Sequence, residues 1–310
     1  MKIVTGDDIR SVCNWPFAVE ALRQGHRLKP ADLRDSLVEN AGRKMLVRTA
    51  WIAGLASGVK AVTIYPDNPT ATPPRPSVQG QVLLFDEARG HVVAVLEGVD
   101  LTAWKTAGDS ALGSACLSRQ DVATMLMVGA GAMARPLIEA HRSVRPSIDR
   151  VMIWNRNAER AEALAASLEA DGIAAEVATD LDDAVSRADL VCSATMTKTP
   201  LINGEALKQG THVDLVGAYT PDMREADDQV LARGRLFVDS LATTIGHIGE
   251  LMIPMASGAI STGDIQGDLH DLVQDKAGRR SDDEITVFKN GGGAHLDVMI
   301  AHAVYGALRG

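Results

Sequence analysis

Thr124-Met125-Leu126-Met127-Val128-Gly129-Ala130-Gly131-Ala132-Met133-Ala134 decides the fold of this chain, because an apolar run breaks there into a glycine-rich turn and continues with helix-like spacing. Gly129 permits a tight turn off the strand, Gly131 permits close approach to a pyrophosphate, and Ala134 permits close packing of helix on strand. The backbone N–H groups of residues 131–133 would lie at a helix N-terminus, where unpaired donors and the helix dipole favour an anion. The stretch predicts the first strand, phosphate loop and first helix of a dinucleotide-binding unit.

The next stretch completes this unit and indicates the cofactor. After a helical segment at residues 135–144, the apolar run at residues 150–154 predicts a second strand. NAD-binding units usually carry Asp or Glu at the end of this strand, but here Asn155-Arg156-Asn157 follows, with Arg160 one turn on. No carboxylate stands there to repel a 2′-phosphate, and Arg156 could bind one. We therefore predict NADPH, with weaker use of NADH; a merely solvated Arg156 is the alternative.

Composition limits the class of protein. The chain has 310 residues, 46% hydrophobic and 23% charged, which suits a globular protein of one large or two smaller domains. A formal net charge of −9 gives no basic surface for a phosphate backbone, so we predict no nucleic-acid partner. The eight histidines show no metal-binding spacing, so we predict no metal site.

Cysteines and hydropathy indicate the compartment. Cys13, Cys116 and Cys192 are not closely paired, which is typical of free thiols in a reducing cytosol. The N-terminal residues 1–8 become acidic too soon for a signal peptide, and no run of 18 apolar residues occurs. We expect a cytoplasmic protein without a membrane partner.

The order of periodic segments predicts the fold class. Helical spacing at residues 7–27 is followed by β-rich runs between Gly and Pro turns, which predict a sheet. Beyond a helix from residue 101 and the dinucleotide unit, further strands alternate with helical stretches, which predicts a mostly parallel, doubly wound sheet. Residues 242–282 have a helical pattern. The remaining predicted strands are residues 45–51, 58–65, 80–85, 91–97, 174–177, 190–193, 212–216, 236–238 and 285–290, before a last helix to Leu308.

Short motifs in one order along the chain resemble the ornithine cyclodeaminase and μ-crystallin family. They are Gly58-Val59-Lys60, Val82-Leu83-Leu84-Phe85, Leu101-Thr102-Ala103-x-Lys105-Thr106-Ala107, Gly129-Ala130-Gly131, Ile153-Trp154-Asn155-Arg156, Val216-Gly217-Ala218, Pro221-Asp222-Met223-Arg224-Glu225 and Thr286-Val287-Phe288-Lys289. The resemblance implies a homodimer. It also implies an α/β fold in which a doubly wound, parallel-sheet Rossmann domain for NADP, residues 113–284, is inserted into an α+β substrate-binding and dimerisation domain. We assign residues 1–112 and 285–310 to that second domain.

The members of this family differ in chemistry, and three positions place the chain among them. Cyclodeaminases carry an aspartate two residues after the glycine of Val-Gly-Ala, where this chain has Tyr219. Their arginine in Thr-Ala-x-Arg-Thr-Ala is replaced by Lys105, which keeps the charge but not the bidentate fork. Pro221-Asp222-x-Arg224-Glu225 and Trp154-Asn155-Arg156 are similar to the reductases of the family, and residues 103–107 with 293–297 resemble its bacterial ketimine reductases.

The resemblance thus implies NADPH-dependent reduction of a small cyclic imine carboxylate. The reactions expected are Δ1-pyrroline-2-carboxylate to L-proline and Δ1-piperideine-2-carboxylate to L-pipecolate. An ornithine or lysine cyclodeaminase, an amino-acid dehydrogenase and a non-catalytic, crystallin-like NADPH-binding protein are the alternatives.

Four cations are candidates for the substrate site. Lys60 matches the site lysine of the family and would bind the carboxylate and hydrogen-bond or protonate the imine, unless it is an exposed strand lysine. Lys105 matches a substrate contact. Arg34 matches a carboxylate-binding arginine if a one-residue gap is allowed, and a solvated helix arginine is the alternative. Arg48 interrupts an apolar run, where a charge is usually paired or functional.

Two further residues complete the predicted substrate site. His295 follows a triple glycine and would line the nicotinamide pocket as a proton donor, or serve only a structural role at a helix start. Tyr219 would offer a hydroxyl group or a wall to the substrate ring. The predicted cofactor-binding residues are Thr106, Gly129, Ala130, Gly131, Ala132, Met133, Asn155, Arg156, Asn157, Arg160, Ser193, Ala194, Thr195, Val216 and Gly217.

Overall fold

The chain forms two compact units in a computed structural model that describes residues 1–309. The first unit comprises Met1–Thr106 and the segment from Gly293 onward, and the second comprises Ala107–Gly292. The predicted boundaries at residues 112 and 285 differ from this division. Residues 285–292 lie in the second unit because the strand Thr286–Lys289 pairs within its sheet.

The first unit is built on a six-stranded sheet with strand order β1-β6-β5-β4-β3-β2. Neighbouring strands are antiparallel, except that β1 pairs with β6 in parallel. The predicted strands are confirmed, whereas β1 and β2 were not predicted. The strands are β1 Lys2–Val4, β2 Asp32–Asn40, β3 Arg43–Ile52, β4 Ala56–Ile64, β5 Val78–Phe85 and β6 Val92–Glu97.

Helices cover one face of this sheet. The single helix predicted for residues 7–27 is instead two, α1 Gly6–Val12 and α2 Trp15–His26, because Asn14 caps a new helix with Pro16 in its first turn. The C-terminal helix α11, Ala294–Ala307, packs on β4, where a Cβ on Gly58 would stand 2.6 Å from Val298 Cγ2. Glycine at this position therefore allows the close approach of helix and strand. Helix α3, Gly98–Leu117, begins in this unit.

The second unit contains a seven-stranded, parallel sheet with strand order β12-β13-β11-β10-β7-β8-β9. The order reverses between β7 and β10, which is the switch point of a doubly wound sheet, and the predicted fold class is confirmed. The strands are β7 Thr124–Val128, β8 Arg150–Trp154, β9 Ala175–Val177, β10 Leu190–Ser193, β11 His212–Leu215, β12 Arg235–Val238 and β13 Thr286–Lys289. The main helices are α4 Ala134–Val144, α5 Ala158–Ala170, α6 Leu181–Arg187 and α7 Asp228–Arg233.

The segment predicted as helical at residues 242–282 is mostly broken into short pieces. Helices α8 Leu241–Thr244, α9 Gly249–Ser257 and α10 Leu269–Leu272 are separated by loops. Gly246, Gly258 and Gly267 have positive φ angles, which interrupt helical geometry. Among the residues that the structure describes, no helix combines the length and apolar character needed to cross a membrane.

Candidate active site

The loop after β7 has the geometry of a phosphate-binding turn. Gly129 has φ +106°, and a Cβ there would lie 2.9 Å from the Ala194 carbonyl oxygen. A Cβ on Gly131 would meet nothing within 4 Å, so a ligand can approach the backbone there. At the start of helix α4 the Ala134 N–H donates to the Gly131 carbonyl and Pro136 has no N–H, so the turn at residues 131–133 and Arg135 supply the remaining N–H donors for an anion. These features fit a dinucleotide pyrophosphate.

The loop after β8 separates structural asparagines from exposed arginines. Asn155 Oδ1 accepts a hydrogen bond from the Ala130 N–H (3.2 Å), and its Nδ2 donates to the Asn157 carbonyl (2.8 Å). Asn157 caps α5 by accepting from the Arg160 N–H. The side chains of Arg156 and Arg160 are exposed. The asparagines therefore fix the loop, and the arginines remain accessible to a negatively charged ligand.

The loops after β10 and β11 meet at a buried carboxylate that the sequence did not single out as a site residue. Glu225 accepts hydrogen bonds from the Ser193 hydroxyl group, from Thr195 and from the Gly217 N–H. A Cβ on Gly217 would lie 2.0 Å from the Thr195 carbonyl oxygen, so glycine is needed where the loops touch. Val216 begins the second loop, and Ala194 lies in the first. The only sequence signal for Glu225 was its place at the end of the Pro221–Glu225 motif.

Two further charged groups are buried beside Glu225. Glu250 in α9 accepts the backbone N–H groups of Glu225 (2.7 Å) and Ala226 (3.0 Å). Lys289 donates to the Leu215 carbonyl from a fully buried position. Burial raises the pKa of the Glu225 carboxyl, opposed by the Lys289 ammonium. Burial also raises the pKa of Glu250 to about 7, with Lys289 opposing and Glu225 adding to the rise.

Lys60 lies on β4 with its ammonium group buried, and its relative exposure is 8%. The alternative of an exposed strand lysine is therefore wrong. Its Nζ contacts Asp297 Oδ1 at 2.9 Å and donates to Thr102 Oγ1 at 2.7 Å. The other oxygen of Asp297, Oδ2, is buried without a hydrogen-bond partner among residues 1–309. Neither Thr102 nor Asp297 was predicted as a site residue, although both lie in motifs that the resemblance used.

The strand pairing places Arg48 beside Lys60. Arg48 on β3 is directly opposite Lys60 on β4, and Asp35 on β2 is directly opposite Arg48. Cross-strand neighbours point to the same face of a sheet, so Arg48 and Lys60 share a face. Arg48 Nε and Nη2 contact Asp35 Oδ2 at 2.9 and 2.8 Å. Arg48 is therefore paired with Asp35, and its contact with the substrate stays a prediction.

Arg34 is not brought together with Lys60. It lies in β2 opposite Thr49, one position away from the row that contains Arg48 and Lys60. Because successive residues of a strand point to opposite faces, Arg34 is on the other face of the sheet. There it lines a cavity of about 700 Å³ with residues such as Trp51 and Phe85. The prediction of Arg34 as a substrate clamp is therefore wrong on geometry, and the helical alternative is wrong as well.

The remaining candidates differ in burial. Lys105 lies in α3, one turn after Thr102, and is 7% exposed; Thr106 follows it. His295, in the first turn of α11, is buried with its ring edge-on to His26 at 5.7 Å. Tyr219 belongs to the second unit and is 59% exposed. The first unit thus brings together Arg48, Lys60, Thr102 and Asp297 on one side of its sheet.

One cluster of potential metal ligands occurs among the described residues. Ligand atoms of His141, Cys192 and Asp214 lie within 4.8 Å of one another in the interior of the second unit. Asp214 Oδ2 is 3.1 Å from His141 Nε2 and accepts from Cys192 Sγ at 3.2 Å, while Ser110 donates to Oδ1. Burial raises the pKa of the Cys192 thiol well above its usual value, with Asp214 contributing. Hydrogen bonds thus satisfy the carboxylate, and we assign the cluster a structural role.

Comparison with known proteins identifies one matching family and several solved structures with a similar fold. The profile of the ornithine cyclodeaminase/mu-crystallin family matches residues 20–310. The Δ1-pyrroline-2-carboxylate reductase of Paracoccus denitrificans is 50% identical over 300 residues, 96% of this chain and 94% of that protein. The Thermococcus litoralis Δ1-pyrroline-2-carboxylate reductase, solved in complex with NADH and L-proline, has a TM-score of 0.92 at 27% identity, covering 100% of this chain and 98% of that chain. An archaeal alanine dehydrogenase dimer with bound NAD has a TM-score of 0.91 at 26% identity, covering 99% and 95%.

Proposed function

The chain belongs to the ornithine cyclodeaminase/mu-crystallin family, and we propose that it is an oxidoreductase that reduces the C=N bond of cyclic ketimine carboxylates with a nicotinamide cofactor. Its substrates are Δ1-pyrroline-2-carboxylate, reduced to L-proline, and Δ1-piperideine-2-carboxylate, reduced to L-pipecolate. The observation that carries this proposal is the buried Lys60–Asp297 pair with Arg48 on the same face of the sheet. The 50% identity to the Δ1-pyrroline-2-carboxylate reductase of Paracoccus denitrificans supports the same substrate class.

Arg48 and Lys105 bind the substrate carboxylate in this proposal. Two nitrogens of the Arg48 guanidinium contact Asp35, which leaves Nη1 available among the described residues. Asp35 also restricts the rotation of the Arg48 side chain, so less entropy is lost when a carboxylate binds. Lys105 adds a second cation from α3. The attraction of both cations for the carboxylate is stronger in a closed site with little water.

Lys60 acts on the ring nitrogen. Reduction adds a hydride to the imine carbon and a proton to the nitrogen, so that the C=N double bond becomes a C–N single bond. The reduced nicotinamide supplies the hydride when it is bound. Lys60 Nζ donates a hydrogen bond to the ring nitrogen and transfers its proton, which water then replaces. Asp297 neutralises the buried ammonium, and Thr102 fixes its direction.

We propose NADPH as the preferred form of the cofactor. Support comes from Arg156 and Arg160, which are exposed at the end of β8 where a 2′-phosphate of the ribose would lie. Asn155 occupies the position of the usual carboxylate and is engaged with the Ala130 backbone. The solved relatives contain NADH or NAD, so the 2′-phosphate preference rests on these arginines.

We also propose that the chain forms a homodimer through its first unit. Strand β2 lies at the edge of the sheet, and every residue in it except Leu33 is exposed. Leu37, Val38 and Trp51 are each more than half exposed, and such edges are usually covered by a partner. Light scattering of the purified protein measures the assembly, and a monomer at micromolar concentration would contradict this proposal. The cytoplasmic location stays a prediction that rests on the free cysteines.

A substrate panel tests the catalytic proposal. Oxidation of NADPH is followed with each cyclic imine, and with pyruvate plus ammonia; ornithine is supplied separately without a reductant. We expect NADPH to be consumed with the imines and L-proline or L-pipecolate to form. Turnover restricted to pyruvate plus ammonia would indicate an amino-acid dehydrogenase. Release of ammonia from ornithine would indicate a cyclodeaminase, against which Tyr219 counts, and binding without any turnover would indicate a crystallin-like role.

A further inference from the structure

The carboxylate of Glu225 is fully buried and is surrounded by hydrogen-bond donors from two loops. Oε1 accepts from the Ser193 hydroxyl (2.5 Å), the Thr195 N–H (2.7 Å) and the Thr195 hydroxyl (2.8 Å). Oε2 accepts from the Gly217 N–H (2.5 Å) and the Ala218 N–H (3.3 Å). Each oxygen thus holds a different loop, and one side chain fixes the distance between them.

These two loops occupy a defined position in the sheet. They follow β10 and β11, which are neighbouring parallel strands in the second half of the doubly wound sheet. Dinucleotides bind across the carboxyl ends of the strands, with one nucleotide on each half. The phosphate loop after β7 and Arg156 after β8 lie where the half of the cofactor with the ribose 2′-phosphate would bind. The loops after β10 and β11 lie where the nicotinamide half would bind.

The surroundings of Glu225 keep it in place and leave it inaccessible to solvent. Its own N–H donates to Glu250 at 2.7 Å, and Lys289 is buried nearby as a counter-charge. The backbone N–H groups of Thr195, Gly217 and Ala218 can only donate, so they require an acceptor oxygen on both sides of the carboxyl group.

We propose that Glu225 is a positioning residue that fixes the loops after β10 and β11 in the arrangement that the nicotinamide half of the cofactor requires. The adenosine half binds independently of Glu225. This inference rests on the proposed function only in that the ligand is a nicotinamide dinucleotide. Its test therefore measures cofactor binding without any imine substrate.

The variant Glu225→Gln keeps the shape of the side chain and replaces one acceptor oxygen by an NH₂ donor. In either orientation that NH₂ group faces a backbone N–H, from Thr195 or from Gly217 and Ala218. We expect the affinity for NADPH to fall by about tenfold or more, as for the loss of hydrogen bonds to a charged group. The affinity for adenosine 2′,5′-bisphosphate, which lacks the nicotinamide half, stays within about twofold. With imine substrate, kcat falls more than KM changes.

The variant Asp189→Asn is the matched control. Asp189 also accepts two backbone N–H groups, those of Ala123 (3.1 Å) and Thr124 (3.0 Å), but it does so at the amino end of the same sheet. We expect it to lower the melting temperature while leaving the affinities for NADPH and adenosine 2′,5′-bisphosphate unchanged. A loss of NADPH affinity in Glu225→Gln but not in Asp189→Asn would therefore show that the role of Glu225 concerns the cofactor.

A second variant covers the case in which Glu225→Gln does not fold. Ser193→Ala removes one donor to Oε1, and since Ser193 is fully buried its side chain cannot itself touch a ligand. We expect a smaller loss in the affinity for NADPH, again without loss for adenosine 2′,5′-bisphosphate. The inference is overturned if the Glu225 and Ser193 variants lose stability but bind NADPH as the wild type does, or if both ligands weaken equally. Normal NADPH binding by a wild-type protein that reduces no imine would refute the proposed function alone.

Discussion

Replacing Asp297 by asparagine removes the charge that compensates Lys60. The carboxylate is 1% exposed and the lysine side chain 9% exposed, so the Asp297→Asn variant leaves a buried ammonium that keeps its hydrogen bond to Thr102 but has lost its counter-charge. Breaking a buried pair from one side costs about 3–5 kcal/mol, because the remaining charge stays desolvated. For a chain of this size the loss corresponds to a melting temperature lower by roughly 5–8 °C.

Two comparisons separate this effect from the general cost of a mutation. Asp35→Asn removes the carboxylate partner of Arg48 on the same sheet, but that pair is 21% and 47% exposed, so we expect a loss of about 1 kcal/mol or less. A double variant, Lys60→Met with Asp297→Leu, removes both buried charges and should recover most of the lost stability.

Thermal melts of the three variants, with and without NADPH, provide the measurement. Asp297→Asn should also lower kcat for the imine by about 10²-fold, since the buried ammonium of Lys60 loses the charge that neutralises it. A melting temperature for Asp297→Asn within about 2 °C of the wild type would mean that the pair contributes little. If kcat is unchanged as well, the assigned role of Asp297 in stabilising and neutralising Lys60 would be refuted.

Three further predictions concern other charged groups. Arg48→Met should raise KM for Δ1-pyrroline-2-carboxylate by about tenfold with a smaller effect on kcat, and equal effects on both would contradict a binding role. Arg156→Ala should lower the affinity for NADPH by about tenfold and leave that for NADH unchanged; equal losses by fluorescence titration would argue against a 2′-phosphate contact. Burial raises the pKa of Glu250 to about 7, so the folded state keeps a proton that the unfolded chain loses near pH 4.5, and stability should fall as pH rises between these values. Glu250→Gln should remove up to about 3 kcal/mol of this change in the free energy of unfolding, seen as a flatter pH dependence of the melting temperature, and an unaltered pH profile would exclude Glu250 as its source.

Local patterns predicted the parts of the molecule that are determined by neighbouring residues. The glycines at 129 and 131, the strands around them and the alternation of helix and strand follow from backbone conformation and hydrophobic period. The family prediction is confirmed by the match over residues 20–310. The burial of Lys60 was also foreseen, because the residues around it on β4 are apolar.

Contacts between distant residues could not be read from the sequence. Asp297 lies 237 positions from Lys60, and no local pattern indicates that α11 brings its carboxylate to β4. Arg34 shows the opposite error, since a shift of one residue in an unpredicted edge strand moves a side chain to the other face. Glu225 belongs to the same class as Asp297, because its role depends on two loops that only the folded sheet brings together.

The most direct test of the central claim is the turnover of Δ1-pyrroline-2-carboxylate by the wild type and by Lys60→Met, each saturated with NADPH. The wild type should form L-proline with one NADPH oxidised for each product molecule. Lys60→Met should bind NADPH with unchanged affinity and lose at least about 10²-fold in kcat. A thermal melt verifies that the first unit of the variant is folded at the assay temperature, because Asp297 is left unpaired there. Turnover by the variant at the wild-type rate would contradict the role of Lys60, and no L-proline from the wild type would contradict the proposed function.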